Sequence, residues 1–249
     1  MMANYCSFRQ LKVAEELPGL DVPGLLIDQR VPLELLNDDL KIRIYRFSGL
    51  KEGDEFKLYI RNVYAGSSYT VSKDDQDNPE FEVNLYITKN QFPSPGSFAS
   101  VPVDYEYIDS ATGEGTRSGK PVTVIFDREA PGGASLRGLS FTEAQKEGIS
   151  AEDIIDGNLP VSGYAWYGME EGDILTPWVS DSPPSSGSET EFLIKEAEIH
   201  ISTPGSTTEV KFPVSNFSGT GDRYFAYQLR DKLGNTSSLS PTVKVSVDL

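Results

Sequence analysis

The 249-residue chain has one cysteine, Cys6, and one histidine, His200, with only two tryptophans and three methionines. A single cysteine excludes an internal disulfide and any cysteine-rich metal site, so a secreted disulfide scaffold is ruled out. A single histidine leaves little for nucleophilic catalysis, which needs a base titrating near neutral pH. His200 lies in Glu198-Ile-His-Ile201, at an outward position of an alternating strand, and Cys6 lies in the N-terminal leader. There is no Gly-x-Ser-x-Gly elbow, no phosphate loop and no His-Glu-x-x-His helix. Basic residues are also scarce: 22 against 38 acidic ones, a net charge of -16. That field repels phosphate backbones and anionic membrane surfaces, which argues against a nucleic-acid partner or membrane docking. No apolar run approaches a membrane span. The first residues, Met1 to Gly19, carry no apolar h-region, so no cleaved secretory signal is expected. Three locations remain open: the cell surface or exterior by another export route, a particle, or the cytoplasm.

What is present is repetition. Leu50-Lys-Glu-Gly-Asp54 returns 119 residues later as Met169-Glu-Glu-Gly-Asp173. At the same offset Leu40 matches Leu159, Tyr45 matches Tyr164, Phe47 matches Trp166, Gly49 matches Gly168 and Tyr59 is answered by Trp178. Further on the offset drifts, as loops of unequal length require. Tyr105-Glu-Tyr-Ile-Asp109 with Gly113 is answered by Tyr227-Gln-Leu-Arg-Asp231 with Gly234, and Val122–Asp127 by Val243–Asp248. An ordered set of this kind predicts two homologous domains, residues 12–129 and 130–249, after a flexible leader of residues 1–11. Arg128-Glu-Ala-Pro-Gly-Gly133 supplies the breaker residues of a short linker.

Each copy reads with a period of two. Phe56, Leu58 and Ile60 alternate with polar neighbours, as do Val83, Leu85 and Ile87, then Val101, Val103 and Tyr105, and in the second copy Val243, Val245 and Val247. That pattern puts apolar side chains on one face of short strands. Turn clusters such as Ser94-Pro-Gly-Ser97 and Pro204-Gly-Ser206 separate them. Helical signal is confined to single turns near 32–37, 142–146 and 151–156, the last capped by Ser150. About seven strands in a little over a hundred residues predicts an all-β fold: two tandem Ig-like antiparallel β-sandwiches joined by a short Pro/Gly linker. Asp109 and Asp231 suit turns in which a carboxylate binds amides ahead of it, and Tyr105 and Tyr227 suit a tyrosine corner.

Tyr227-x-Leu-x-Asp231-x-x-Gly234-Asn-x-Ser, with its closing Val strand, resembles the final hairpin of bacterial Ig-like repeats. Phe126-Asp-Arg-Glu-Ala-Pro131 is similar to the way such modules end. The first copy's turn, Asp109 to Gly113, is one residue longer and lacks the Asn. The resemblance implies an Ig-like fold and use in surface adhesins, spacer stalks or phage structural proteins. It implies no catalytic residues.

Candidate sites follow from the residues that architecture does not claim. Asp74, Asp75 and Asp77 place closely spaced oxygens in a loop, as calcium requires, but without the EF-hand's Gly and distal Glu. Asp127 and Glu129, at the domain join, form a second calcium candidate with Glu52 or Asp54; the resemblance to arrays stiffened by calcium points the same way. No cofactor is required, and calcium is the one candidate. Glu52 with Asp54, and Glu171 with Asp173, read as solvated turns entering strands. Tyr164, Trp166, Tyr167 and Trp178 form an aromatic group in which Tyr167 is the residue free to meet a glycan. Ser182 and Ser185, in Ser180–Ser188, and the stretch Lys73–Pro79 are candidate loop contacts for a protein or glycan ligand. The expected function is a non-enzymatic binding or spacer module of a bacterial surface-exposed or secreted repeat protein. Its partners would be such a ligand and further Ig-like domains. The alternatives are a structural or decoration component of a phage or injection particle and, more distantly, a carbohydrate-active sandwich.

Overall fold

The computed structural model describes residues 16–133, 136–185 and 190–249. Cys6 and the leader 1–11 lie outside these residues, as does the end of the Ser180–Ser188 stretch. The chain forms two compact units. The first comprises residues up to Leu25, Asp38–Gln91 and Ser100–Val124; the second comprises Leu26–Asn37, Phe92–Ala99 and Ile125–Leu249.

The strands most of which belong to the first unit are β1 (Leu20–Asp21), β2 (Leu40–Tyr45), β3 (Glu55–Ile60), β4 (Val63–Thr70), β5 (Glu82–Ile87), β6 (Phe98–Ile108), β7 (Gly115–Arg117) and β8 (Val122–Asp127). They make two sheets, β1-β2-β5 and β4-β3-β6-β7, with β8 also paired to β6. The period-two residues turn inward: Leu40, Ile42 and Ile44 of β2, Val83, Leu85 and Ile87 of β5, and Phe56 and Leu58 of β3 are all buried. Phe56 packs on Tyr105 and Tyr107 with ring centroids 5.8 and 5.5 Å away. Arg61 and Asn62 adopt φ of 49° and 65°, the left-handed pair that a two-residue β3–β4 hairpin demands.

The second unit holds β9 (Ile149–Ser150), β10 (Asn158–Gly163), β11 (Ile174–Ser180), β12 (Ile199–His200), β13 (Thr208–Pro213), β14 (Thr220–Arg230) and β15 (Val243–Asp248). Its sheets are β10-β13 and β12-β11-β14-β15-β9. In the first unit β2 pairs with β5 and β3 with β6; in the second, β10 pairs with β13 and β11 with β14, all antiparallel. β2 and β3, neighbours in sequence, thus lie in different sheets, as β10 and β11 do, the crossed arrangement of Ig-like sandwiches. Phe225 centres the second core, with Phe141, Phe212 and Phe217 at 5.4, 5.1 and 5.4 Å.

β11 departs from alternation. Leu175 to Ser180 are all buried, because residues 192–194 pair along its edge and Phe192 stacks edge-on against Trp178 at 6.0 Å. Helices are short, as expected: α1 (Lys73–Asp77), α2 (Glu143–Glu147) and single 3₁₀ turns. α1 corrects the loop expected around Asp74. Ser72 caps it through a reciprocal capping box with Asp75, so the acidic run is helical rather than extended.

Tyr105 and Tyr227 do bind upstream backbone, but not at a local corner. Tyr105 Oη donates to the Pro18 carbonyl at 2.7 Å and Tyr227 Oη to the Arg137 carbonyl at 2.8 Å. Each reaches back 87 and 90 residues, pinning the segment that opens its own sandwich rather than the neighbouring turn.

Candidate functional site

Each unit contains a turn built around a buried aspartate. In the first, Lys51 N donates to Asp54 Oδ2 at 2.8 Å and Asp54 N returns to the Lys51 carbonyl at 3.2 Å. Gly53 N and the Asp54 carbonyl then exchange bonds with Val71 at 2.8 Å each. The second unit repeats the pattern: Glu170 N to Asp173 Oδ2 at 3.0 Å, Asp173 N to the Glu170 carbonyl at 3.2 Å, and both Gly172 N and the Asp173 carbonyl bonded to Ile201. Gly53 is needed twice over. Its φ is 86°, and a Cβ there would lie 3.2 Å from Ser110 Cβ. Glu52 and Glu171 are exposed, but Asp54 and Asp173 are 0% and 1% exposed. The solvated turns expected from the sequence are therefore half right: the aspartates are interior groups, because the strand partners fold over them.

Beside Asp173 the second unit has an open-mouthed cavity of about 110 Å³. Its walls include Arg30, Asp127, Glu129, Tyr167, Glu170, Asp173 and Asp231. Asp231 sits in the turn after β14, where its Oδ1 accepts from Leu233 N and Asn235 N at 2.9 and 2.8 Å. The Asn235 side-chain amide donates both to Asp231 Oδ2, at 2.8 Å, and to the Asp127 carbonyl, at 3.0 Å. Arg30 forks onto Glu170 with bonds of 3.1 and 2.5 Å and donates from Nε to Asp28 at 2.9 Å. Its guanidinium stands 3.6 Å from Asp127, while Lys232 reaches Asp28 at 3.2 Å and Glu170 at 3.0 Å. The Arg30 bonds hold the Asp28 carboxyl down at about 2 and the Glu170 carboxyl below its ordinary range. Asp173 moves the other way. Burial pushes its carboxyl up, against the bonds from Glu170 and Trp166, and the Asp231 charge adds to the rise. Burial raises Asp231 as well, against the donors of its own turn.

Three of the calcium candidates, Asp75, Asp77 and Asp127, have partners within the protein. Asp75 Oδ2 accepts from Ser72 N, Ser72 Oγ and Tyr69 Oη, at 2.8, 2.7 and 2.7 Å. Asp77 pairs with Lys73 at 2.9 Å. Helical spacing turns Asp75 away from Asp74 by about 100°. Asp127 faces Arg30, and Glu129 N donates to Asp127 Oδ1 at 3.3 Å. Asp54, offered as their partner, is bound within its own unit by Lys51, Tyr107 and Ser110. Among the described residues no three His, Cys, Asp or Glu side chains converge as a metal-holding group.

The aromatic group divides. Trp178 is fully buried, Trp166 is partly buried with its Nε1 donating to Asp173 at 3.2 Å, and Arg137 lies over Tyr164 at 5.5 Å. Tyr167 is 84% exposed at the rim of the cavity, the one ring of the four that solvent reaches freely. Ser182 and Ser185 are exposed, Ser182 N donating to Ser180 Oγ at 3.2 Å. His200 is exposed on β12.

Several solved structures resemble the chain. A chain of a 1.5-MDa bacterial ice-binding adhesin aligns over 93% of this one and 65% of its own length, at 14% identity and a TM-score of 0.45. A Ca²⁺-stabilized ice-binding adhesin of an Antarctic bacterium aligns over 93% and 49%, at 16% identity and 0.45. The FN1–FN3 domains of chicken contactin, CNTN1, align over 94% and 64%, at 13% and 0.39. The chain thus spans between about half and two thirds of those chains. No family model and no curated protein matches it. The all-β assignment stands on the strand pairings themselves.

Proposed function

We propose that the chain is a non-enzymatic spacer and binding module, a tandem of Ig-like copies over residues 12–129 and 130–249 of a bacterial surface-exposed or secreted repeat protein. One observation carries the reading: the features that recur between the copies are load paths of the fold. The Tyr105 and Tyr227 hydroxyls pin the opening segments of their sandwiches, and the Asp54 and Asp173 turns lock strand to strand. Residues kept in both halves for such bonds hold a shape, and a ligand is then met where the halves differ. Tyr167, Ser182 and Ser185 are exposed groups in parts that differ, and we assign them to contact with a protein or glycan. No cofactor is needed in this reading, since Arg30 and Lys232 already supply cationic charge to Glu170 and Asp28. Fractionating producing cells and measuring the intact mass tests it. The expected result is the chain, or a longer protein containing it, at the cell surface or in the medium. Recovery only with assembled particles would replace it with the particle reading.

A further inference from the structure

Asp54 and Asp173 occupy the same turn, yet their carboxylates are not equally provided for. Asp54 Oδ1 accepts from Ser110 N and Oγ, both at 2.9 Å, and Oδ2 from Lys51 N and Tyr107 Oη, both at 2.8 Å. Asp173 Oδ2 accepts from Trp166 Nε1 and Glu170 N, but no donor among the described residues reaches Oδ1. The sequence shows why. Where the first copy has Tyr107 and Ser110, the second has Leu229, which has no hydroxyl, and Lys232, whose ammonium turns to Asp28 and Glu170.

The charges around Asp173 are mostly of its own sign. Asp231 lines the same cavity, Glu170 belongs to its own turn, and Asp127 and Glu129 form the remaining acidic wall. The two cations, Arg30 and Lys232, are engaged with Glu170 and Asp28, with Arg30 also beside Asp127. Of the two innermost carboxylates, Asp231 is the one whose oxygens are both met by N–H donors, which favour its ionised form. A buried carboxylate with two donors and several carboxylate neighbours binds a proton more readily than one met, like Asp54, by four donors.

We propose that Asp173 is a proton-binding site, which in the folded second unit takes up its proton at a higher pH than an ordinary aspartate does, so that this unit tightens on acidification. Burial raises Asp173 above its ordinary 3.8, with Asp231 and Glu170 adding to the rise. The stabilisation is therefore complete below about 3.8 and fades as pH climbs through the folded value. Asp54 runs oppositely. The bonds from Ser110, Tyr107 and Lys51 overcome burial and hold it below 3.8, so its contribution is present above 3.8 and lost only as pH falls through that lowered value.

The test is a set of thermal melts of the full chain, wild type, Asp173→Asn and Asp54→Asn, from pH 7.5 to 4.5, in chelator and in millimolar calcium. Asn keeps the acceptor at Oδ2 and imitates the neutral acid. Asp173→Asn is expected to raise the midpoint of the second unit's transition at pH 7.5 by about 3 °C and to flatten its response to acid, while Asp54→Asn lowers the first unit's midpoint. Carboxyl ¹³C NMR should place the Asp173 titration above the ordinary aspartate value of 3.8. A loss of stability at pH 7.5 from Asp173→Asn, or an Asp173 titration at or below 3.8, would overturn the proposal. So would a calcium-dependent rise that Asp173→Asn abolishes, because the charge would then be kept for a cation.

Discussion

Asp54 and Asp173 close the same Gly-Asp turn, are equally inaccessible to solvent, and are driven in opposite directions by their surroundings. The difference lies in their hydrogen-bond donors. Two hydroxyls and two backbone amides meet Asp54; one indole and one amide meet Asp173. Burial alone therefore does not set the charge of a carboxylate, and a motif copied within one chain need not copy its electrostatics. The first copy completes its turn from within, with Lys51 also 3.6 Å from Asp109. At the matching position the second has Glu170, whose balancing charge comes from Arg30, 140 residues away in sequence.

The comparison breaks most visibly at Asp54. Asp54→Ala would leave the Tyr107 hydroxyl, Ser110 and two backbone amides without their acceptor, a loss of about 3 kcal/mol. Chemical denaturation should place that loss in the first unit alone; an effect below about 1 kcal/mol would mean that solvent replaces the carboxylate. Next come Tyr105→Phe and Tyr227→Phe. Each removes one hydroxyl from a largely buried bond and is expected to cost about 1–2 kcal/mol, similar in the two units. A marked inequality would show that the shared bond does not hold the two opening segments alike. The smallest effect is expected at the cavity's cations. Arg30→Gln removes a partly exposed bidentate pair worth about 1 kcal/mol, with the difference shrinking in high salt. In the wild type, calcium and chelator should give the same melting midpoint; a calcium-dependent rise would mean that the acidic wall takes a cation beyond Arg30 and Lys232.

The strands were the most legible part of the chain. Val83, Leu85 and Ile87, or Val243, Val245 and Val247, announce one apolar face because the side chains of a strand alternate regardless of what covers them. The turn aspartates Asp109 and Asp231 were equally legible, since each binds amides two to four residues ahead. β11 was not. Its Leu-Thr-Pro-Trp-Val-Ser run is buried throughout, with residues 192–194 along its edge and Phe192 against Trp178. The helix at Lys73–Asp77 was missed although Ser72 and Asp75 spell a capping box; the run of carboxylates read as a ligand loop obscured it. At the candidate site the sequence pointed to Asp127, Glu129 and Tyr167, which do line the cavity, but not to Arg30 or Asp231 as their companions.

The order of amino acids alone carried the strand periodicity, the internal repetition, the turn residues and the acidic balance, all properties of neighbours within a few positions or of the whole composition. The burial of Asp54 and Asp173, the reach of Tyr105 and Tyr227 to segments 87 and 90 residues earlier, and the grip of Arg30 on Glu170 arose on folding. Charge state and partner choice depend on which groups arrive within about 3 Å and how much water they displace. Those distances belong to the packed sandwiches.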